Sequence, residues 1–339
     1  MTVTIRRHAS TDDEWDYLVG QSPMATPFHQ SGVLRVIASE ADASLHRLVG
    51  YKGEEPVGLF PFFEKRKGPF ELVKSPPEGI SILHLGPILS NYGKLKTRKR
   101  ERRHRRFVEG CIEWVDDRFD PDRFQIHTTD RYDDFRPWVW NGFDVEMDAT
   151  YIVDLERDLD EIKRSFSRSV RRAIGQARDA GCEVRVGGDS EAARIAEHIR
   201  ARFEQSDITY FDTSPEQVVD YYEAFPDEQA RPYVCLRDGE YVGGKIAIQF
   251  GDTTWWWKGG ARPLEDVPAN ELLDWQIIRD AKEAGVSRYN LHGAIDPRSG
   301  QPKSKLSPEL VPMYKLTRER PSIELATWFQ RRIRPRLGL

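Results

Sequence analysis

The chain has 339 residues, of which 39% are hydrophobic and 11% aromatic. This length exceeds the roughly 250 residues at which a single core stops growing, so two domains are expected, and the apolar content excludes a largely disordered chain. The net charge of -4 favours no particular class of partner.

Membrane-spanning and disulfide-bonded proteins are not expected. The longest apolar stretches, residues 58–63 and 80–89, are far short of the ~18 residues of a spanning helix. The start, MTVTIRRHASTDDEW, has acids and a Trp in place of the apolar core of a secretory signal, which predicts a cytoplasmic protein. Cys111, Cys182 and Cys235 lie far apart without a paired His, so we expect buried thiols and no zinc site.

The first half, residues 1–149, alternates helical and strand patterns. Ser10 and Thr11 precede acids as in a capping box, and an apolar residue recurs at helical spacing through residues 97–118. The segment LHRLVGYKGEEPVGLFPFFE predicts two strands joined by a Lys-Gly-Glu turn. The other predicted elements are helices at 13–19 and 30–39 and strands at 70–74, 80–85 and 123–127.

The second half, residues 150–320, contains the clearest strand pattern. RPYVCLRDGEYVGGKIAIQFGDTTWWWKGGA predicts a three-strand meander with turns at Asp-Gly and Gly-Asp. Gly181 and Gly285 are expected to end helices. The other predicted elements are helices at 159–180, 192–205, 215–224 and 268–284, strands at 151–154, 183–186 and 288–291, and a helical tail at 321–339.

Several of these segments resemble, in order, the motifs of the FemABX family. YIVDLERDLDEIKRSFSRSVRRAIGQARDAGCEVRV is similar to its strand, Arg-Arg-x-Ile helix and Ala-Gly ending. GGKIAIQFGDTTWWWKGGA, PANELLDWQIIRDAKEAGVSRYNLHGA and PKSKLSPELVPMYKL resemble its meander, helix and Lys-bearing loop. FHQSGVLRVI and EEPVGLFPFF look like its early motifs, so the resemblance covers about residues 28–316.

The resemblance implies an α/β (α+β) fold of two tandem GNAT-like domains, each a mixed, mostly antiparallel sheet flanked by helices. It also implies transfer of an aminoacyl group from charged tRNA to an amine of a peptidoglycan precursor. This chain departs from the family pattern at Asn290-Leu291-His292-Gly293 and at Pro302-Lys303 with Leu306. The acceptor therefore stays open between cell-envelope and polysaccharide precursors, either small molecules or glycan- or lipid-linked ones.

The donor is either aminoacyl-tRNA or acyl-CoA. No Gln/Arg-x-x-Gly-x-Gly turn, which would cradle a CoA diphosphate, is evident. Val242-Gly243-Gly244-Lys245 lies inside a strand, where the glycines predict a bulge or a close backbone approach. One alternative is an acyl-CoA-dependent N-acetyltransferase acting on an amino sugar, and a second, of another class, is a non-catalytic RNA-binding or scaffold protein.

Two basic clusters are candidates for binding phosphates. The run RKRERRHRRF has seven Lys or Arg among the nine residues 98–106, and Arg168, Arg171 and Arg172 share one predicted helix. Such cations bind tRNA, nucleotide-sugar diphosphates or anionic lipid head groups, and a solvated helix face is the structural alternative. The family position of Arg168, Arg171 and Arg172 favours substrate binding.

Two catalytic residues are proposed from the second half. Lys303, in a Gly- and Pro-flanked polar loop, would stabilise an oxyanion or a leaving phosphate, and His292 would act as a base. Further substrate-binding candidates are Trp257, Lys258, Asn270 and Lys305. Trp255, Trp256 and Trp257 alternate along a predicted strand, so Trp255 and Trp257 are expected on one face and Trp256 on the other. The structural alternatives are core packing for the Trp residues, a satisfied structural histidine for His292 and a solvent-facing loop lysine for Lys303.

Other enzyme classes lack support in the sequence. No Ser-His-Asp or Cys-His set, zinc spacing or Gly-rich nucleotide loop is evident, so neither a metal nor a permanently bound cofactor is expected. The ending IELATWFQRRIRPRLGL mixes apolar residues with Arg, as an interfacial helix does. It predicts either peripheral contact with the inner membrane surface or an ordinary docked helix.

Overall fold

The computed structural model describes residues 2–80, 82–204, 214–295, 297–321 and 323. The chain divides into two compact units: unit 1 is Met1–Met147 with the chain from Met313, and unit 2 is Asp148–Pro312. Residues 313–320 thus group with unit 1. The division into domains at 1–149 and 150–320 stays a prediction. All but residues 321 and 323 of the predicted C-terminal tail lie outside the described residues.

Unit 1 is built on a mixed sheet. Strands β1 to β4 pair antiparallel in chain order, β4 pairs parallel with β6, and β6 pairs antiparallel with the end of β13. The short β5 pairs with β3. The elements are β1 (Thr4–Arg7), α1 (Asp12–Gly20), α2 (Ser31–Ala41), β2 (Ser44–Lys52), β3 (Glu55–Lys67), β4 (Phe70–Ser75), β5 (Ile88–Leu89), α3 (Thr97–Phe119), β6 (Arg123–His127), α4 (Arg136–Val139) and the last part of β13 (Glu309–Glu319).

Helix α3 packs its apolar face on this sheet. Phe107 at its centre is fully buried, and the glycines opposite it allow the approach. A Cβ atom at Gly50 would lie 2.5 Å from the Phe107 ring, and one at Gly58 would lie 3.0 Å from it. Phe60 and Phe124 stack nearby with ring centroids 6.1 Å apart. The core of unit 1 is therefore aromatic.

The strand predicted over residues 80–85 does not form in the described part of this segment. The chain leaves β4 through a cis peptide bond between Ser75 and Pro76, and pairing resumes only at β5. The Leu85 N–H donates to His127 O (3.0 Å) and the Gly86 N–H to Ser75 Oγ (3.1 Å). This segment is apolar because it is buried at the sheet end, and burial alone does not distinguish a strand from a packed loop.

Unit 2 is also built on a mixed, mostly antiparallel sheet, with strand order β7-β12-β11-β10-β9-β8. Only β11 and β12 pair parallel among these neighbours. The elements are β7 (Asp144–Asp154), α5 (Leu159–Ser165), α6 (Arg168–Asp179), β8 (Cys182–Val186), α7 (Asp189–Glu204), α8 (Pro215–Ala224), β9 (Ala230–Arg237), β10 (Glu240–Phe250), β11 (Thr253–Gly259), α9 (Ala269–Glu283), β12 (Arg288–Asn290) and α10 (Pro297–Ser304). The predicted meander is β9 to β11, and the expected fold class is confirmed.

The helix predicted over residues 159–180 is two helices. Phe166 and Ser167 adopt extended backbone angles between α5 and α6, and Ser167 Oγ accepts from the Val170 N–H as the N-cap of α6. Phe166 is buried against Trp275 of α9, with the ring centroids 5.9 Å apart. The break lets the chain bury Phe166, and a Ser at this position caps the new helix.

The glycines of β10 act as predicted. The β9–β10 register shifts between Tyr241 and Gly243, and a Cβ at Gly244 would lie 2.5 Å from Ile195 of α7. All three cysteines are buried free thiols, as expected. Within the described residues, no helix has both the length and the apolar character needed to cross a bilayer.

Candidate functional site

The sheet of unit 2 opens where β11 and β12 separate. The two strands pair over three residues only, from Thr253 opposite Arg288 to Trp255 opposite Asn290, and β11 continues to Gly259. Parallel strands that diverge leave backbone groups and side chains accessible at their carboxyl ends, which is where α/β proteins bind ligands. Residues 256–259 form one side of this opening.

Trp256 and four other side chains are linked by direct contacts beside β11: two lysines lie over the Trp256 ring, and one of them leads to an Asp and a Tyr. We call Trp256, Lys245, Asp274, Tyr289 and Lys303 the Trp256 cluster. Lys245 is 1% exposed, and its Nζ donates to Asp274 Oδ1 at 2.6 Å and lies 3.6 Å from the Trp256 ring centroid. The Tyr289 hydroxyl donates to the same Asp274 oxygen at 3.1 Å. Burial, followed by the Asp274 charge, raises the pKa of Tyr289 well above its usual value.

Lys303 reaches the same ring from α10. Its Nζ lies 5.0 Å from the Trp256 centroid and donates to the carbonyl oxygens of His292 (2.9 Å) and Gly293 (3.1 Å). Lys303 is buried and lies on a helix, whereas the sequence predicted a polar loop at this position. Pro302 lies inside this helix, so local composition alone favours a loop there. The ammonium groups of Lys245 and Lys303 thus both lie over the Trp256 indole ring.

The turn after β11 is held by close backbone approaches. Gly259 and Gly260 have φ of +94° and +75°, and a Cβ on Gly259 would lie 2.3 Å from Gly244 O. The Gly260 N–H donates to Gly244 O at 2.9 Å. Asn270, at the start of α9, donates to the carbonyl oxygens of Gly260 (3.2 Å) and Ala261 (3.1 Å). The structure thus places the predicted binding residue Asn270 against this turn.

The turn after β12 carries His292. Its φ is +57°, and its N–H donates to Asn290 Oδ1 at 2.8 Å. Thr150 Oγ1 donates to the same oxygen (2.8 Å) and accepts from the Gly293 N–H (3.1 Å). Thr150 and Asn290 were not among the site residues predicted from the sequence. The one signal was the Asn-Leu-His-Gly pattern, in which a short polar side chain precedes a Gly by three residues.

The predicted arginine set lies on the exposed side of α6. Arg168, Arg171 and Arg172 are exposed, and Arg171 Nη1 donates to Arg164 O at 3.2 Å. The N–H of the N-cap residue Ser167 donates to Lys305 O at 2.9 Å. Two elements predicted to bind substrate, the start of α6 and the segment after α10, are therefore joined through their backbones.

Trp257 lies apart from the Trp256 cluster. It is 4% exposed and packs against Tyr221 and Phe225, with centroid distances of 5.6 Å and 5.8 Å. Lys258 Nζ lies over the Trp257 ring at 5.9 Å. Alternation along β11 was predicted, and it puts Trp257 in the core and Trp256 at the opening. Trp257 was therefore the binding residue predicted from the sequence, whereas in the structure Trp256 contacts the two lysines.

The family comparison matches this same part of the chain. The model described as "Acetyltransferase (GNAT) domain" matches residues 164–297. The chain carries a GNAT-type acyltransferase domain. It is an acyltransferase, as the sequence predicted, and the matched residues contain the opening of β11 and β12 and four members of the Trp256 cluster.

Solved structures establish the fold of the wider chain. FemX shares 13% identity with a TM-score of 0.71, over 91% of this chain and 96% of FemX. L-PGS from Bacillus licheniformis shares 12% with a TM-score of 0.58, over 93% and 94%. The C-terminal domain of a protein from Agrobacterium fabrum designated a lysylphosphatidylglycerol synthetase shares 12% with a TM-score of 0.58, over 94% and 96%. No curated protein matches the sequence. The acyltransferase thus has a FemX-like GNAT fold.

Proposed function

We propose that unit 2 transfers an acyl or aminoacyl group to an amine of a cell-envelope or polysaccharide precursor. The supporting observation is that the strands of the GNAT-type domain separate beside two buried lysines that share the Trp256 ring. A structural relative whose name contains lysylphosphatidylglycerol supports a cell-envelope acceptor.

Transfer of the acyl group to an amine involves the following bond and proton changes. The amine attacks the donor carbonyl, the carbonyl oxygen becomes an oxyanion, and the amine proton moves to a base. When the oxyanion collapses, the bond from the carbonyl carbon to the donor's sulfur (acyl-CoA) or ribose oxygen (aminoacyl-tRNA) breaks, and the leaving group takes up a proton. In this proposal Lys303 supplies positive charge beside the opening and holds the His292–Gly293 turn through two hydrogen bonds. His292, in that turn, is the proposed base, because a neutral imidazole nitrogen can accept the amine proton.

The substitution Lys303→Met, compared with a control substitution of another lysine, tests the role of Lys303. Removing one preorganised donor from an oxyanion site lowers kcat by about 100-fold or more. We expect Lys303→Met to lower kcat by that order with a smaller change in KM. Lys67→Met, at an exposed position of β3 in unit 1, is the control and should keep a near-native kcat. Transfer would be measured with labelled acyl-CoA or aminoacyl-tRNA and a panel of amines; an unchanged kcat for Lys303→Met removes it from the mechanism.

The corresponding strand ends of unit 1 are filled by the chain itself, which supports one active unit per chain. β4 and β6 pair up to Ser75 opposite Ile126. Beyond that point Leu85, fully buried, and Gly86 bond to His127 O and Ser75 Oγ. A Cβ on Gly86 would lie 3.1 Å from His127 O, so this filling is tight. We expect one donor bound per chain by titration calorimetry, and two would contradict the assignment to unit 2.

The choice of donor has evidence on both sides. The GNAT match favours acyl-CoA. In the segment after β11, however, the N–H groups of Gly260 and Leu264 donate to Gly244 O and Val242 O, so neither is available to a diphosphate. This engagement favours aminoacyl-tRNA, whose phosphates would meet side chains such as Arg171 and Arg172. Titration with CoA alone separates the two, since tight CoA binding overturns the tRNA assignment.

A further inference from the structure

One stretch of unit 1 carries charge far out of proportion to the chain. Residues 94–106 contain nine Lys or Arg and one Glu, whereas the whole chain has a net charge of -4. The stretch forms the start of the 23-residue helix α3 and the turn before it. A local excess of this size creates a positive potential that attracts polyanions.

Only part of this charge is neutralised by neighbouring acids. Arg103 pairs with Glu55 at 2.9 Å, and Arg105 and Arg106 both approach Glu109. Arg98, Lys99 and Arg102 are exposed and make no ion pair within the part of the chain that the structure describes. Folding therefore leaves three adjacent cations facing solvent on one short length of helix.

The position of these cations at the N-terminal end of α3 also destabilises the helix. The N-terminal end of a helix carries positive partial charge, so acids stabilise it and cations destabilise it. The first turn of α3 has no acid, and its N-cap Lys96 makes no side-chain capping bond. A bound anionic surface would offset this repulsion, whereas a role in folding does not explain it.

Exposed apolar side chains lie beside these cations. Arg136 of α4 donates to Glu101 of α3 at 2.8 Å and lies 5.8 Å from the Trp140 ring, so the end of α4 is held next to α3. Trp140 is 60% and Val139 43% exposed. We call Arg98, Lys99, Arg102, Val139 and Trp140 the α3–α4 surface. It combines cations with an aromatic and an aliphatic side chain.

We propose that the α3–α4 surface docks unit 1 onto an anionic lipid bilayer. Lys and Arg are attracted to anionic head groups, and Trp with an aliphatic neighbour partitions into the interfacial region. A single-stranded nucleic acid would use Trp140 for stacking and the cations for phosphates, but gains little from the exposed Val139. The proposal is independent of the transfer reaction assigned to unit 2.

Vesicle sedimentation tests this surface. The full chain should bind phosphatidylglycerol vesicles, bind phosphatidylcholine vesicles weakly, and lose affinity as salt rises. Each interfacial cation contributes about fivefold, so Arg98→Ser/Lys99→Ser/Arg102→Ser should weaken binding by roughly 100-fold. The control, Arg178→Ser/Arg185→Ser/Arg200→Ser, removes equal charge from exposed positions of unit 2 and should bind like the native chain.

Quenching of Trp fluorescence by brominated lipids is a second measurement, and it does not depend on the charge of the surface alone. They should quench part of the Trp fluorescence in the native chain, and Trp140→Phe should lose that fraction. The proposal is overturned if phosphatidylglycerol vesicles bind no better than phosphatidylcholine, or if both triple variants weaken binding equally. It is also overturned if vesicles do not bind while tRNA binding is lost in the α3 variant, since the surface would then be a nucleic-acid site.

Discussion

Replacing Asp274 by Ala should destabilise unit 2 strongly. Lys245 is 1% exposed and Asp274 6%, so the substitution leaves a buried ammonium without its carboxylate partner at 2.6 Å. Breaking a buried pair in this way costs about 3–5 kcal/mol, and the Tyr289 hydroxyl also loses its acceptor. With a urea m-value of about 2 kcal/mol per M, a loss of about 4 kcal/mol shifts the midpoint by about 2 M.

Urea unfolding followed by circular dichroism and Trp fluorescence measures this loss. The surface control is Glu283→Ala on the same helix, whose side chain is 67% exposed, and it should change stability by less than about 1 kcal/mol. The double variant Lys245→Met/Asp274→Leu should recover most of the stability, because apolar residues replace a buried pair at little cost. A loss below about 1 kcal/mol for Asp274→Ala would contradict this prediction, since it would mean that water reaches Lys245.

Two further predictions concern a tight turn and a buried histidine. Gly259→Ala should reduce transfer and lower thermal stability, because its Cβ would lie 2.3 Å from Gly244 O at a φ of +94°. Gly175→Ala, inside helix α6 with nothing within 4 Å of its added Cβ, should leave transfer unchanged and raise thermal stability slightly. Burial lowers the pKa of His29 to about 4, while its Nδ1 accepts from the Thr26 N–H and its Nε2 donates to Gly86 O. The unfolded chain therefore binds this proton more readily, so stability should fall as pH drops from about 6.5 to 4, by roughly 3 kcal/mol from His29. Urea midpoints across this range should show a shallower fall for His29→Gln, and equal slopes would contradict the assignment.

The positions of predicted and observed elements differ where burial and chain geometry compete with local pattern. Ile80, Ile82 and Leu85 are buried, and Leu85 lies at the end of the β4–β6 pair; periodicity does not separate such a packed loop from a strand. Ser167 was expected inside a continuous helix. It caps a second helix because Phe166 turns into the core against Trp275.

The candidate site, like the fold, combines features that local sequence patterns predict with features that they do not. Alternation along β11 correctly put Trp255 and Trp257 on one face and Trp256 on the other, but it does not say which face meets the lysines. Lys303 was selected from a family motif, whereas its partners at His292 and Gly293 depend on how α10 folds back. Lys245, Asp274 and Tyr289 come from three different elements, and nothing in their spacing along the chain links them.

The enzyme class, the mixed sheets flanked by helices, the β9 to β11 meander and the burial of the three cysteines were predicted from the amino-acid sequence. These follow from periodicity, turn residues and ordered motifs, all of which act over short stretches of chain. Two features depend on tertiary packing: the buried Lys245–Asp274 pair shares Trp256 with Lys303, and residues 85–86 fill the strand ends of unit 1. Such contacts join residues 11 to 47 positions apart, and their geometry is set by packing, which no local pattern encodes.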